Sequence, residues 1–301
     1  MRFLIFVLLL LVFYAKYQAN IFEKNGGAEI VFLGDKFREQ AGSVLQKSFW
    51  FYDFFGPDHL IPRWFNMVRD NELRVTSVFV SPIIFAQFLS IIASFLLAYY
   101  VKVIRKKKFT IFALVLIALY GIVLSQVRAG LIFLAITSFS ILIFRRFKQY
   151  YLLTLSIPLL LVALTFFGLL FLKAGDASSV GRIAQYKDFF NNFSFIGYGL
   201  GEKKAIIHYD SLVISSVTAF GLLGLLYFKL HLILIKKLYV IEKLKTEKQS
   251  INFLGLGLLG CFSAFAYFIF FHYSIGSTPL RFLYFISFYF LYMVYEDRRE
   301  K

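Results

Sequence analysis

The sequence predicts an all-α polytopic membrane protein of about eight transmembrane helices, with a large loop between two of them, and three observations predict it. Hydrophobic residues make up 59% of the 301 positions, phenylalanine alone fills 40, and charged residues are held to 17%. Water-soluble domains of this length do not have that balance. Apolar runs approaching the ~20 residues that carry a helix across a bilayer recur along the chain. Between them, lysine and arginine gather on alternate connections, as expected where short cytoplasmic loops retain positive charge.

The first span is Phe3–Ala15. Arg2 followed by an apolar core has the outline of a signal peptide, but Tyr14-Ala15-Lys16-Tyr17 offers no small-x-small cleavage site, so residues 1–15 read as an uncleaved membrane anchor. Residues 16–81 mix charges with Phe49, Trp50, Phe51, Tyr52, Phe54, Phe55, Trp64 and Phe65. Rings with a polar edge favour headgroup depth, which predicts interfacial helices on the membrane surface. The same rings suit stacking on sugars.

Seven longer spans follow, at Pro82–Ile104, Phe109–Gln126, Ala129–Phe144, Tyr151–Leu172, Leu212–Ile235, Ile251–Phe271 and Pro279–Tyr295. Four basic clusters fall on one side of them: Lys102 with Arg105 to Lys108, Arg145 to Lys148, Lys236 to Lys248, and Arg298 to Lys301. With that side cytoplasmic, residues 16–81, the turn Val127-Arg128, the large loop 173–211 and the turn 272–278 lie outside. Function is expected there.

Several classes of activity are disfavoured. The net charge of +16 is accounted for by the topology signal, so no nucleic-acid partner is expected. The one cysteine, Cys261, lies inside an apolar span and cannot staple the outer loops. His59, His208, His231 and His272 are scattered and no Asp-x-Asp or His-x-x-x-His spacing occurs, so neither a metal nor another cofactor is expected. The span interiors are nearly free of charge, with Lys229 and His231 towards a cytoplasmic end and His272 near an outer one. A coupled transporter or lipid flippase keeps ionisable groups within its spans, so that class is disfavoured too. A non-catalytic assembly subunit is a third reading.

The outer face carries arginine at the ends of spans, where the positive-inside tendency selects against it: Arg74, Arg128, Arg182 and Arg281. Each can snorkel to headgroups or pair with acids such as Asp70, Glu72 or Asp176. Together they suit a phosphate-rich group at the membrane surface, because a guanidinium forks onto phosphate oxygens and stays charged. A lipid-linked pyrophosphate has that chemistry. In the large loop, Gly197, Gly199 and Gly201 flank Tyr198 in Gly-Tyr-Gly-Leu-Gly. Spacing and context are wrong for a dinucleotide loop, leaving a compact turn whose amides face a sugar or phosphate, or plain loop flexibility.

Arg74-x-x-Ser77-x-Phe79-x-x-Pro82 running into a span resembles the matching stretch of the bacterial O-antigen polymerase and O-antigen ligase family. Three marks follow in the family's order: Ser125-Gln126-Val127-Arg128-Ala129-Gly130; Gly181-Arg182 opening the large loop, then Ile196 to Gly201; and Asp210-Ser211 leading to Gly221-Leu222-Leu223-Gly224. The resemblance runs from Arg74 to the C terminus, residues 82–301 forming the polymerase-like membrane domain. Val127 departs from the serine usual beside the turn arginine, Asp210 holds the position where the family carries histidine, and fewer spans precede Arg74, as in an N-terminally short member.

The resemblance implies a GT-C-like membrane glycosyltransferase of the bacterial inner membrane with its active face periplasmic. It would polymerise undecaprenyl-diphosphate-linked oligosaccharide repeat units into O-antigen, capsular or related polysaccharide without a metal; the alternative is ligation of the glycan to lipid A core. Its partners would be the lipid-linked glycan, membrane lipids, a chain-length regulator and a flippase. Without a metal, charge on the departing diphosphate must meet fixed cations, for which Arg128, Arg182, Arg74 and Arg281 are the candidates. His208 or Asp210 would serve as the base for the acceptor hydroxyl. His208 also reads as an ordinary interfacial residue, and Asp210 as an N-cap on the helix that begins after Ser211.

Overall fold

The computed structural model describes residues 2–24, 68–69, 72–75, 77, 82–102, 105–146, 151–171, 177–199, 211–244, 252–271 and 278–299. The described residues are helical apart from turns and one antiparallel pair of two-residue strands, β1 (Val68–Arg69) and β2 (Glu72–Leu73), in register Val68 to Leu73 and Arg69 to Glu72. The helices are α1 (Arg2–Lys24), α2 (Pro82–Lys102), α3 (Arg105–Leu124), α4 (Arg128–Arg146), α5 (Tyr151–Phe171), α6 (Ala177–Asn191), α7 (Leu212–Phe220), α8 (Leu225–Leu244), α9 (Asn252–Phe271) and α10 (Thr278–Arg299). A 3-10 turn over Gly221–Gly224 joins α7 to α8.

Among the described residues, three helices are long and apolar enough to cross a membrane, with windows at Leu4–Ile21, Pro82–Val101 and Phe253–Phe270; the bent pair Leu212–Gly224 plus Phe228–Glu242 makes a fourth if counted as one span. α3, α4, α5 and α10 carry shorter apolar stretches. The N-terminal helix is longer than the expected anchor of residues 1–15: it continues past Ala15 to Lys24, and Gln18 is buried. The aromatic-rich stretch 49–65 lies outside the described residues.

Contacts divide the chain into two units, Met1–Leu96 with Val103–Ile132, and Leu97–Lys102 with Phe133–Lys301. In the first, α1 packs along α3 through Leu8, Leu11, Val12 and Ala15, all buried. Gly121 permits the approach, since a Cβ there would come 2.5 Å from Leu89 Cδ1 and 2.9 Å from Val12 Cγ2. Gly130 does the same for α4 and α2, with a Cβ position 2.9 Å from the Cβ of Ala86. The Ser90 hydroxyl donates to the Ala86 and Gly130 carbonyls at 2.7 and 2.9 Å.

The second unit is built around α9, whose span window is 83% buried. Helices α5, α7, α8 and α10 surround it. Phe133 and the Thr137–Ile141 turn of α4 also pack on it, the rings of Phe133 and Phe265 meeting edge to face at 5.1 Å and Gly260 accommodating Thr137 and Ile141. In an apolar solvent no hydrophobic force joins helices, so small residues that let backbones approach are what such contacts use.

Candidate functional site

In the first unit the structure describes two of the arginine-bearing turns. Ser77, at φ +52°, is buried in the left-handed region, which costs a residue with a side chain about 1–2 kcal/mol. Three hydrogen bonds to α1 hold it there. The Gln18 amide accepts from the Ser77 N–H at 2.8 Å and donates to the Ser77 carbonyl at 3.1 Å, while the Ser77 hydroxyl donates to the Leu11 carbonyl at 2.8 Å. The half-buried Arg74 is therefore carried on a segment clamped to the N-terminal helix.

The second turn ends α3. Ser125 donates to the Ile122 carbonyl at 2.6 Å and accepts from the Val127 N–H at 3.3 Å, and Gln126, at φ +52°, bonds the Val123 carbonyl from its N–H at 2.9 Å. This left-handed residue is a helix C-terminal cap, and α4 starts two positions on. Arg128 is the first residue of α4, is exposed, and has no acid in the first turn beside it. A cation here opposes the positive end of the helix dipole, and both favour an anion at that point.

In the second unit the two glycine motifs meet. Gly197 and Gly221 have φ of +85° and +61°, and a Cβ on Gly197 would lie 2.6 Å from the Ala219 carbonyl oxygen, one on Gly221 2.6 Å from the Phe195 carbonyl carbon. Only glycine allows this contact of backbone on backbone. Three hydrogen bonds clasp the segments: the N–H groups of Tyr198 and Gly199 donate to the carbonyls of Thr218 and Ala219 at 2.8 and 3.0 Å, and the Leu222 N–H donates to the Phe195 carbonyl at 3.0 Å. The carbonyls left without helical partners where α7 ends are thus satisfied by the loop.

That arrangement corrects one expectation. The amides of Tyr198 and Gly199 do not face outward to a sugar or phosphate; they are donated within the fold, and the Gly197 N–H goes to the Ser194 hydroxyl at 3.2 Å. The Tyr198 hydroxyl donates to the Asn192 carbonyl at 2.8 Å. Of the two described glycines of this motif, Gly199 adjoins open space, with nothing within 4 Å of a Cβ position.

Next to the clasp, the C-terminal end of α9 is capped by two side chains from other helices. The Ser211 hydroxyl donates to the Ile269 carbonyl at 3.2 Å, and the Tyr186 hydroxyl donates to the Phe270 carbonyl, with the Tyr186 ring edge-on to Phe166 of α5 at 4.7 Å. Ser211 is also the N-cap of α7, accepting from the Ile214 N–H at 3.3 Å. The cap is therefore Ser211 and not Asp210. Gly181-Arg182 does not open a loop either: both lie within α6, Arg182 one turn before Tyr186. Arg281 is in the first turn of α10, again with no acid beside it.

The expectation for the charged groups of the Leu212–Ile235 span is also corrected. That stretch is not one helix, because the chain bends by 90° at Gly221–Gly224. α8 runs on to Leu244, which moves Lys229 and His231 into its first half, away from the end expected to be cytoplasmic. His231 is buried, its Nδ1 2.8 Å from the Tyr284 hydroxyl and its Nε2 3.0 Å from the Phe262 carbonyl. A carbonyl only accepts, so Nε2 carries the proton and Tyr284 donates to Nδ1. Phe262 is at the middle of α9: this chain does hold an ionisable side chain at mid-span.

Of the expected site residues, Arg74 and Arg128 fall in the first unit, and Arg182, Gly197, Tyr198, Gly199 and Arg281 in the second. Gly201, His208 and Asp210 lie outside the described residues. Gln18 and Tyr186 carry no sequence motif, and Ser211 stands in one only beside Asp210; all three bond across helices, which no spacing announces. No family model, curated protein or solved structure matches the chain.

Proposed function

We propose that this chain is a metal-independent membrane glycosyltransferase of the O-antigen polymerase type. It is read as a GT-C-like protein of about eight spans in the bacterial inner membrane, extending undecaprenyl-diphosphate-linked glycan at the periplasmic face. The observation that carries the reading is the exposed Arg128 at the first position of α4, set by the capped turn Ser125–Val127. A guanidinium and the free amides of a helix N terminus both attract an anion, and a departing diphosphate gains that attraction most as its bond to the sugar breaks. Arg281 lies in the first turn of α10, and Arg74 and Arg182 complete the proposed cation set. His208 and Asp210 are proposed as the base, and the loop around Tyr198 as a glycan-facing element through the Tyr198 ring.

The test is complementation of a deletion strain. Long-chain polysaccharide should return with wild type and not with Arg128→Ala or Arg182→Ala at equal expression; return with every arginine variant would end the proposal.

A second reading, movement of lipid-linked glycan across the membrane, gains from one observation, the buried His231 at mid-span. It predicts lipid-linked repeat units accumulating on the cytoplasmic side of the deletion strain. Purified protein converting a defined lipid-linked repeat unit to longer product separates the two.

A further inference from the structure

The register of α8 against α9 decides where the clasp sits. The two helices run antiparallel: Phe228 meets Phe270 edge to face at 5.7 Å, His231 bonds the Phe262 carbonyl, and Glu242 lies over Gly255, where a Cβ would come 3.0 Å from the Glu242 Cδ. α8 therefore covers α9 from one end to the other by itself. At ~1.5 Å per residue a helix of this length spans the apolar core of a bilayer, and the crossing needs nothing from α7.

Both ends of α7 are at the C-terminal end of α9. Its N-cap, Ser211, bonds the Ile269 carbonyl, and its other end leads through the 3-10 turn to Leu225, three residues before Phe228. The bend of 90° between the two arms then lays α7 across the end of the α8–α9 pair. It is not the first half of a span.

The surface of this element is apolar. Phe195 is 71% exposed, Ile196 88%, Leu222 51% and Leu223 69%, and the bond from the Leu222 N–H to the Phe195 carbonyl holds the four together. The patch continues into Leu225, Leu226 and Leu230, the exposed side of α8. The one unburied charge in that run, Lys229, has a stem long enough to reach the headgroups. An apolar patch continuous with the exposed flank of a spanning helix, at the depth where that helix ends, meets acyl chains and not water.

We infer that Phe195, Ile196, Leu222 and Leu223 insert together into the leaflet at the C-terminal end of α9, so that residues 195–199 with 211–224 form a membrane-surface element and not a half-span. The occupant of the patch is the bilayer itself. The inference rests on α8 and α9 crossing a membrane and is independent of the glycosyl-transfer reading.

Depth-dependent quenching tests it on the full chain. The two native tryptophans, Trp50 and Trp64, are replaced by phenylalanine, and a single tryptophan is placed at Ile196, at Leu223, or, as a reference on α8, at Leu230. Each protein is reconstituted in phosphatidylcholine vesicles with and without bromine in mid-acyl chain. Blue-shifted emission at Ile196→Trp and Leu223→Trp, with loss of most fluorescence in the brominated vesicles, is the expected result. Water-like emission at both positions, quenched by iodide and not by bromine while Leu230→Trp is quenched by bromine, overturns the inference; so does an unquenched Leu230→Trp, because α8 would then not cross. A nitroxide on Ile196→Cys in a Cys261→Ser chain that keeps both tryptophans gives the same distinction from its accessibility to oxygen against a nickel chelate.

Discussion

Replacing Gly221 by alanine isolates the clasp from every other feature of the fold. The residue sits at φ +61°, ψ −145°, a region that costs a residue with a Cβ about 1–3 kcal/mol. The new Cβ would also lie 2.6 Å from the Phe195 carbonyl carbon, and both segments are backbone, so only separation relieves the overlap. Separation loses the three clasp bonds, each worth about 1 kcal/mol net, with the Thr218 and Ala219 carbonyls left unsatisfied. The sum is about 4–6 kcal/mol. Gly199→Ala meets nothing within 4 Å and has only its φ of +79° to overcome, about 1–2 kcal/mol.

Cys261, the one cysteine, is 0% exposed at the centre of α9, so a thiol-reactive fluorophore reports opening of this unit during a thermal ramp. Gly221→Ala should lower the midpoint by about 10 °C and Gly199→Ala by about 3 °C. Equal shifts, or an unchanged midpoint for Gly221→Ala, would refute the clasp as the element that closes the broken helix.

Four further outcomes follow from named contacts. Gln18→Leu removes the two bonds that Gln18 makes to the buried Ser77 backbone and should cost about 2–3 kcal/mol, whereas Ser77→Ala removes the bond to Leu11 and should cost about 1 kcal/mol; thermal loss of monodisperse elution ranks them. Ser211→Ala should lower the Cys261 labelling midpoint by the equivalent of about 1 kcal/mol, and Asp210→Asn should not move it. His231→Leu removes two bonds from a buried ring, to Tyr284 and to the Phe262 carbonyl, and should destabilise by about 1–3 kcal/mol; polymer formation surviving in His231→Gln at equal expression would sink the transport reading. Arg128→Lys should restore little more polysaccharide than Arg128→Ala, because an ammonium cannot fork onto two phosphate oxygens, and since Arg128 is exposed, neither change should shift the labelling midpoint.

Most of the helices were legible because a bilayer forces the backbone to satisfy itself within each apolar segment, and runs such as Pro82–Val101 and Phe253–Phe270 could take no other form. Boundaries were less legible where polar residues belong to a helix. Lys16 marked the end of the anchor by charge, yet the helix continues because Gln18 has a buried partner 59 residues away in Ser77. The candidate site was legible as motifs and not as geometry. Gly197 and Gly221 were visible in the sequence as two separate glycine groups.

The sequence by itself determined the all-helical class, the apolar helices and the arginines at their ends, because length, hydropathy and charge act locally along a chain. The tertiary structure decided that the two glycine groups are one contact, that Ser211 and Tyr186 cap α9, and that α7 lies across the end of α8 and does not extend it. Each of these depends on which carbonyls are left unpaired when helices end, and on which distant donor reaches them. A bond between residues twenty or more positions apart leaves no periodicity in the sequence to read.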